Sequence, residues 1–225
     1  MPAKQKKTYF EAIRDRIFER AASPDYHDRL STEIELSKEL GISRSPVRNV
    51  LAQLERERLI IRKKKKGILL RKLDVKEIVE TYDARAALEG FAARLAKGKL
   101  SEKELAKLAK LAADIARQLK DGNLPACAKL EGEFHRLILC AAGNSIIAEM
   151  IERVSLLERS FFIRAKGNGN TTTPSSGENP ASHEAIIEAF RRGTAEDCER
   201  LMRQHIQWTK MKVIERALRI SLDKF

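Results

Sequence analysis

The sequence predicts a mostly α-helical chain in two parts: a winged helix-turn-helix with a small β-wing over residues 1–73, then an all-helical antiparallel bundle over residues 74–225. Three observations predict it. Apolar residues recur at helical spacing along most of the chain. Only one pair of short β-prone runs appears, around a basic turn that ends in glycine. Charge is lopsided: residues 1–73 carry 19 Lys/Arg against 10 Asp/Glu, whereas the rest carries 25 against 22.

The elements follow in order. Phe10, Ile13, Ile17 and Phe18 mark a helix over residues 8–22, followed by a turn-rich stretch that contains Ser23-Pro24-Asp25. Thr32 and Glu35 form a capping-box pair for a second helix, which ends near Leu40-Gly41. Ser43 caps a third helix, with Pro46 in its first turn and Val47, Val50, Leu51 and Leu54 as its buried face. Leu59-Ile60-Ile61 and Ile68-Leu69-Leu70 then bracket the turn Arg62-Lys63-Lys64-Lys65-Lys66-Gly67 and read as a hairpin. Six helices are expected after it, at about 74–97, 101–120, 124–142, 144–166, 182–192 and from 194 to near the end. Ser101 and Glu104 make a second capping box, and the Gly/Asn/Thr/Pro/Ser-rich segment 167–181 reads as a loop, either beside a ligand pocket or a tolerated insertion.

Composition narrows the class. The net charge is +12, charged residues make up 34% and aromatics 5%. A positive field concentrated at one end draws a polyanion, because neutralised phosphates release counterions. Residues 1–7 lack an apolar signal core and read as a basic arm, and no apolar run approaches spanning length. Cys127, Cys140 and Cys198 are odd in number and contain no CxxC pair. A cytoplasmic chain with reduced, buried thiols and no membrane partner is expected.

A recognition helix presents its N-terminal residues to the major groove. Here these are Ser43, Arg44, Ser45 and Arg48, which can reach guanine edges or phosphates, and the basic turn with Lys65, Lys66 and Gly67 can track phosphates beside them. Residues 30–70 resemble the GntR family of regulators through Leu30, Glu33, Glu35, Leu36 and Gly41-Ile42-Ser43-Arg44-Ser45-Pro46-Val47-Arg48. Leu51, Leu54, Glu55, Leu59 and Gly67 match as well. Three positions depart: Asn49 replaces a usual Glu, Arg58 a usual Gly, and Ile34 stands where relatives often place a DNA-contacting Arg.

In the second part, Glu131 and His135 are four residues apart on one helix, His183 begins another helix and His205 lies within a third. One carboxylate and three imidazoles can converge on one divalent cation such as Zn, Ni or Mn. Residues 77–215 resemble the FCD effector domain through Glu131-Gly132-Glu133-Phe134-His135, Ala142-Gly143-Asn144, His183-Glu184-Ala185-Ile186-Ile187, His205 and the pair Arg85 and Glu89. Glu131 stands where that family has Asp. The resemblance implies a divalent metal held by Glu131, His135, His183 and His205, a small carboxylate effector beside it, and a homodimer reading an inverted-repeat operator. Arg85 either binds the effector carboxylate or pairs with Glu89, and Asn144 is either a ligand contact or a helix cap. A regulator that senses the metal itself, and a metal-dependent enzyme, are the competing readings. The sequence favours a ligand-responsive regulator without enzymatic activity.

Overall fold

Helices here begin where a side-chain oxygen can accept from the orphan N–H groups of a first turn. The computed structural model describes residues 8–23, 30–64, 67–71, 74–166 and 181–222. The basic arm, Lys65 and Lys66, and most of the 167–181 segment therefore lie outside the described residues. The chain divides into two compact units, Met1–Asp74 with Leu156–Asn170, and Val75–Ser155 with Thr171–Phe225.

In the first unit, α1 (Tyr9–Ala22) opens on a capping box between Thr8 and Glu11, and α2 (Glu33–Leu40) on one between Thr32 and Glu35. Gly41 ends α2 in the left-handed conformation, with φ of 63°. After it comes α3 (Arg44–Arg56), whose N-cap Ser43 makes no side-chain capping bond. The expected Ser43 cap is thus a cap by position only, which leaves its hydroxyl unspent. Strands β1 (Ile60–Lys63) and β2 (Gly67–Leu70) pair antiparallel, with Ile60 opposite Leu70 and Lys63 opposite Gly67. The hairpin is joined to the segment before α2, because Ile68 exchanges backbone bonds with Leu30 and Ser31 at 2.9 and 2.8 Å.

Gly67 opens β2 rather than closing the turn. A Cβ there would lie 2.6 Å from the Ser31 carbonyl oxygen, and φ is 74°. Its need for glycine is therefore a backbone need. The core of this unit gathers Ile13, Ile17, Phe18, Leu36, Val47, Leu51, Leu54, Leu59, Ile60, Ile68 and Leu70. Leu156 is also buried in this core.

Arg58 explains its own oddity in the family pattern: it is a non-glycine residue with φ of 60°. Left-handed backbone costs an L-residue roughly 1–2 kcal/mol. Arg58→Gly is therefore expected to raise stability by about 1 kcal/mol in urea unfolding, after the entropy cost of glycine. An unchanged or lower midpoint would count against that strain.

The second unit is helical throughout: α4 (Val75–Ala96), α5 (Glu102–Lys120), α6 (Leu124–Ala142), most of the first half of α7 (Ser145–Lys166), α8 (His183–Arg192) and α9 (Ala195–Leu222). The most extensive packing is of α4 on α9, and small residues permit it. Ala86, Ala92, Ala93 and Ala96 are buried, and a Cβ at Gly90 would sit 2.5 Å from Cγ of Arg203. Helix α5 lays Leu105, Leu108, Leu111 and Ile115 inward and packs on α6. Cys127 and Cys198 are buried, but Cys140 is exposed, against the expectation of three buried thiols. Among the described residues, no helix is long and apolar enough to cross a membrane.

Candidate metal centre and nucleic-acid interface

Four side chains from three helices meet in the second unit. Glu131 and His135 stand one turn apart on α6, His183 is the first residue of α8, and His205 lies midway along α9. Ser182 caps α8 by accepting from the Ala185 N–H, which fixes the start of that helix at His183. One ligand atom from each of the four lies within 4.8 Å of the others. Glu131 Oε2 is 3.0 Å from His183 Nε2 and 3.6 Å from His135 Nε2. Phe134, fully buried, sets its ring edge-to-face with His183 at 4.6 Å between centroids.

The outward nitrogens of two rings are already engaged. His205 Nδ1 donates to the Ala181 carbonyl at 3.1 Å. His135 Nδ1 lies 2.6 Å from Oε2 of Glu89, which is 2% exposed. Glu89 in turn accepts from Arg85 Nε at 2.7 Å. A carboxylate or carbonyl behind a ligating imidazole fixes its tautomer and raises its basicity.

Charge in the site is arranged to be neutralised from within. Burial pushes the Glu89 carboxyl up, but Arg85 and His135 outweigh it and hold it at about 2. Burial likewise opposes the charged form of His135, yet Glu89 and Glu131 raise it to about 9. Burial and the neighbouring His183 and His135 drive His205 down to about 3, so this imidazole is neutral and ready to ligate at neutral pH. Burial raises the Glu131 carboxyl, but its contacts with His135 and His183 carry it well below the usual range. A neutral His205, the anionic Glu131 and a His135 that gives up its proton on binding fit a divalent cation of the Zn, Ni or Mn type.

The remaining expected effector residues are already engaged with neighbours. Arg85 is 8% exposed, committed to Glu89 and stacked over the Tyr82 ring at 5.1 Å. Asn144 Oδ1 accepts from the Ile147 N–H at 3.1 Å, which makes it the cap of α7. Glu89 was read only as a partner for Arg85. Its second role depends on α4 lying against α6, which no local spacing announces.

In the first unit, Arg44, Ser45 and Arg48 are exposed at the start of α3. Glu33, the first residue of α2, entered the sequence reading only as part of the family pattern, and its pairing with the arginines was missed. Its Oε1 lies 3.1 Å from Arg48 Nη2 and 3.7 Å from Arg44 Nε, so one carboxylate holds both arginines. Ile34 beside it is 49% exposed. Glu55 ties the wing to α3 by accepting from Arg62 N–H at 3.0 Å and Nε at 2.7 Å.

Comparison with known proteins agrees with both units. Residues 5–70 match the family described as bacterial regulatory proteins, gntR family, and residues 80–207 match the FCD domain. An HTH-type transcriptional regulator of Agrobacterium vitis, from the TAR-I ttuE-ttuC' intergenic region, is 34% identical over 59% of this chain and 78% of its own. The regulator YcbG of Bacillus subtilis is 26% identical over 93% of this chain and 92% of its own. The solved structure of E. coli McbR/YncC superposes with a TM-score of 0.76 at 16% identity, over 95% of this chain and all of that one, a likeness of fold. The relatives are transcriptional regulators and not enzymes. The chain belongs to the GntR family of bacterial DNA-binding transcription regulators, in the group whose second part is an FCD domain.

Proposed function

We propose that this regulator binds a short inverted-repeat operator as a homodimer in the cytoplasm, and that a small carboxylate metabolite controls it at a divalent metal site. The observation that carries the metal reading is the convergence of Glu131, His135, His183 and His205 within 4.8 Å. These four residues would hold the ion, which supplies a positive centre for a carboxylate. Glu89 and the Ala181 carbonyl orient His135 and His205 for it. An effector changes operator affinity only by its differential affinity for two conformations of the protein. The Arg85 guanidinium reaches an effector only by sharing or leaving Glu89, and Asn144 only by giving up its cap.

Metal analysis after chelator-free purification is expected to find one ion per chain. At a hundredfold excess over its Kd the ion adds about 2.7 kcal/mol, a rise in melting temperature of roughly 5–10 °C. His205→Ala is expected to abolish that rise. No stoichiometric ion, together with no thermal shift on adding Zn, Ni or Mn, sinks the metal reading.

The donor count favours a second reading for one metal. Four protein ligands complete a tetrahedral Zn site and leave no position for an effector. With Zn the ion itself is the signal, whereas six-coordinate Ni or Mn keeps positions open for a carboxylate. Operator binding that follows free Zn without any organic acid selects the second reading.

Ser43, Arg44, Ser45 and Arg48 are the proposed groove contacts, with Lys65 and Lys66 of the wing on phosphate. Arg44→Ala or Arg48→Ala is expected to cost about 1–3 kcal/mol in specific binding by mobility shift. Unchanged affinity in both removes α3 from the role of recognition helix.

A further inference from the structure

The exposed surface of α3 has more on it than its two leading arginines. Val47, Val50, Leu51 and Leu54 are buried and define the inner face of the helix. Ser45, Asn49, Ala52 and Arg56 fall at i, i+4, i+7 and i+11, a single straight stripe on the opposite side. Arg44 and Arg48 flank this stripe, turned toward Glu33 on α2. Further along the same flank, Asn49, Ala52 and Arg56 line a cleft with Glu55 and with Arg62 of the wing strand. The Glu55–Arg62 pair forms one wall and uses up both of its charges. Asn49 itself is exposed, and its side chain makes no hydrogen bond with any described residue. Arg56 is likewise exposed and has no ion pair among the described residues.

We propose that Asn49 is a base-reading residue that selects adenine at one position of each operator half-site. Its carboxamide presents a donor and an acceptor side by side. In the major groove, adenine alone offers the complementary pair, the N6 amino donor and the N7 acceptor; guanine shows two acceptors, cytosine a donor and thymine an acceptor with a methyl group. Asn49 lies five residues past the start of α3, roughly 7.5 Å along the axis, so it travels with the end of the helix that enters the groove. Ala52, next on the stripe, is too small to hold the helix away from the base edges. Arg56 is a further turn out, where a cation meets phosphate rather than bases.

The inference rests on α3 being the helix that enters the groove, and the experiment separates the two. A duplex is selected from a random pool by the wild-type chain, and every base pair of one half-site is then varied singly. Asn49→Ala is expected to lose roughly tenfold in affinity for the selected duplex and to lose its preference at one A·T pair only. Replacing that adenine by 7-deazaadenine is expected to weaken the wild type by a similar factor and leave Asn49→Ala unchanged. Arg56→Ala, by contrast, is expected to weaken all duplexes alike and to flatten the salt dependence. Asn49→Ala with every base preference intact overturns the inference, as does a selected half-site in which the N7 substitution is harmless at each adenine. If Arg44→Ala and Arg48→Ala also bind as the wild type does, the recognition-helix reading falls as well. Asn49→Ala replaces an exposed residue with a better helix former, so loss of fold does not confuse the outcome.

Discussion

Glu89→Ala is expected to destabilise the protein by about 3–5 kcal/mol, because it removes the buried carboxylate shared by Arg85 and His135. Arg85 loses the acceptor that it reaches at 2.7 Å, and His135 loses the carboxylate 2.6 Å from its Nδ1. Both side chains are only 8% exposed, so water does not replace the missing charge cheaply. Urea unfolding of the metal-free protein measures the cost. A loss below about 1 kcal/mol would mean that the three groups relax to solvent. Glu89→Gln separates stability from ligation. It keeps the volume and one acceptor but removes the charge behind His135. Metal affinity is expected to fall about 10–100-fold, the usual effect of removing an outer partner of a metal-bound imidazole.

Leu51→Ala is the second large effect, at about 2–5 kcal/mol. Leu51 is fully buried in α3, within a core to which α1, α2, α3 and both strands contribute. The unit it supports is small, and small units have little stability to lose. DNA binding is expected to vanish near 37 °C and to return on cooling, with the metal-dependent thermal shift retained. Leu51→Met fills most of the lost volume and is expected to cost less than about 1.5 kcal/mol. Equal stability of the alanine variant and the wild type would show that the cavity collapses without penalty.

Helix ends were legible wherever the signal is local. Thr32 with Glu35 and Ser101 with Glu104 cap as a capping box should, and Gly41 and Gly143 end their helices in the left-handed conformation. Arg58 was legible as an anomaly because glycine usually stands there, and its φ of 60° supplies the reason. The four convergent residues were legible chiefly through the FCD resemblance, since spacing alone put only Glu131 and His135 on one helical face. Glu89 behind His135 and Glu33 beneath Arg44 and Arg48 were not. Each depends on two helices lying side by side, and that placement comes from packing rather than spacing. Ser43 was misjudged for a related reason: residue type favoured a capping bond that the local geometry does not make. The exposure of Cys140 also escaped, because a small apolar residue near a helix end carries little facial information.

The carboxylate of Glu33 has a consequence for how such a protein finds its target on a chromosome. With α3 as the proposed recognition helix, Arg44 and Arg48 would approach DNA already paired, so a passing stretch of phosphates would gain little by capturing them. Only a site whose base edges replace Glu33 as the acceptor would repay its release. The same carboxylate would repel the sugar-phosphate backbone and keep the wrong sequence from becoming sticky. Glu33 would therefore trade dwell time on random sequence for speed of search. Glu33→Gln is expected to linger everywhere, binding bulk DNA more tightly while discriminating its operator less.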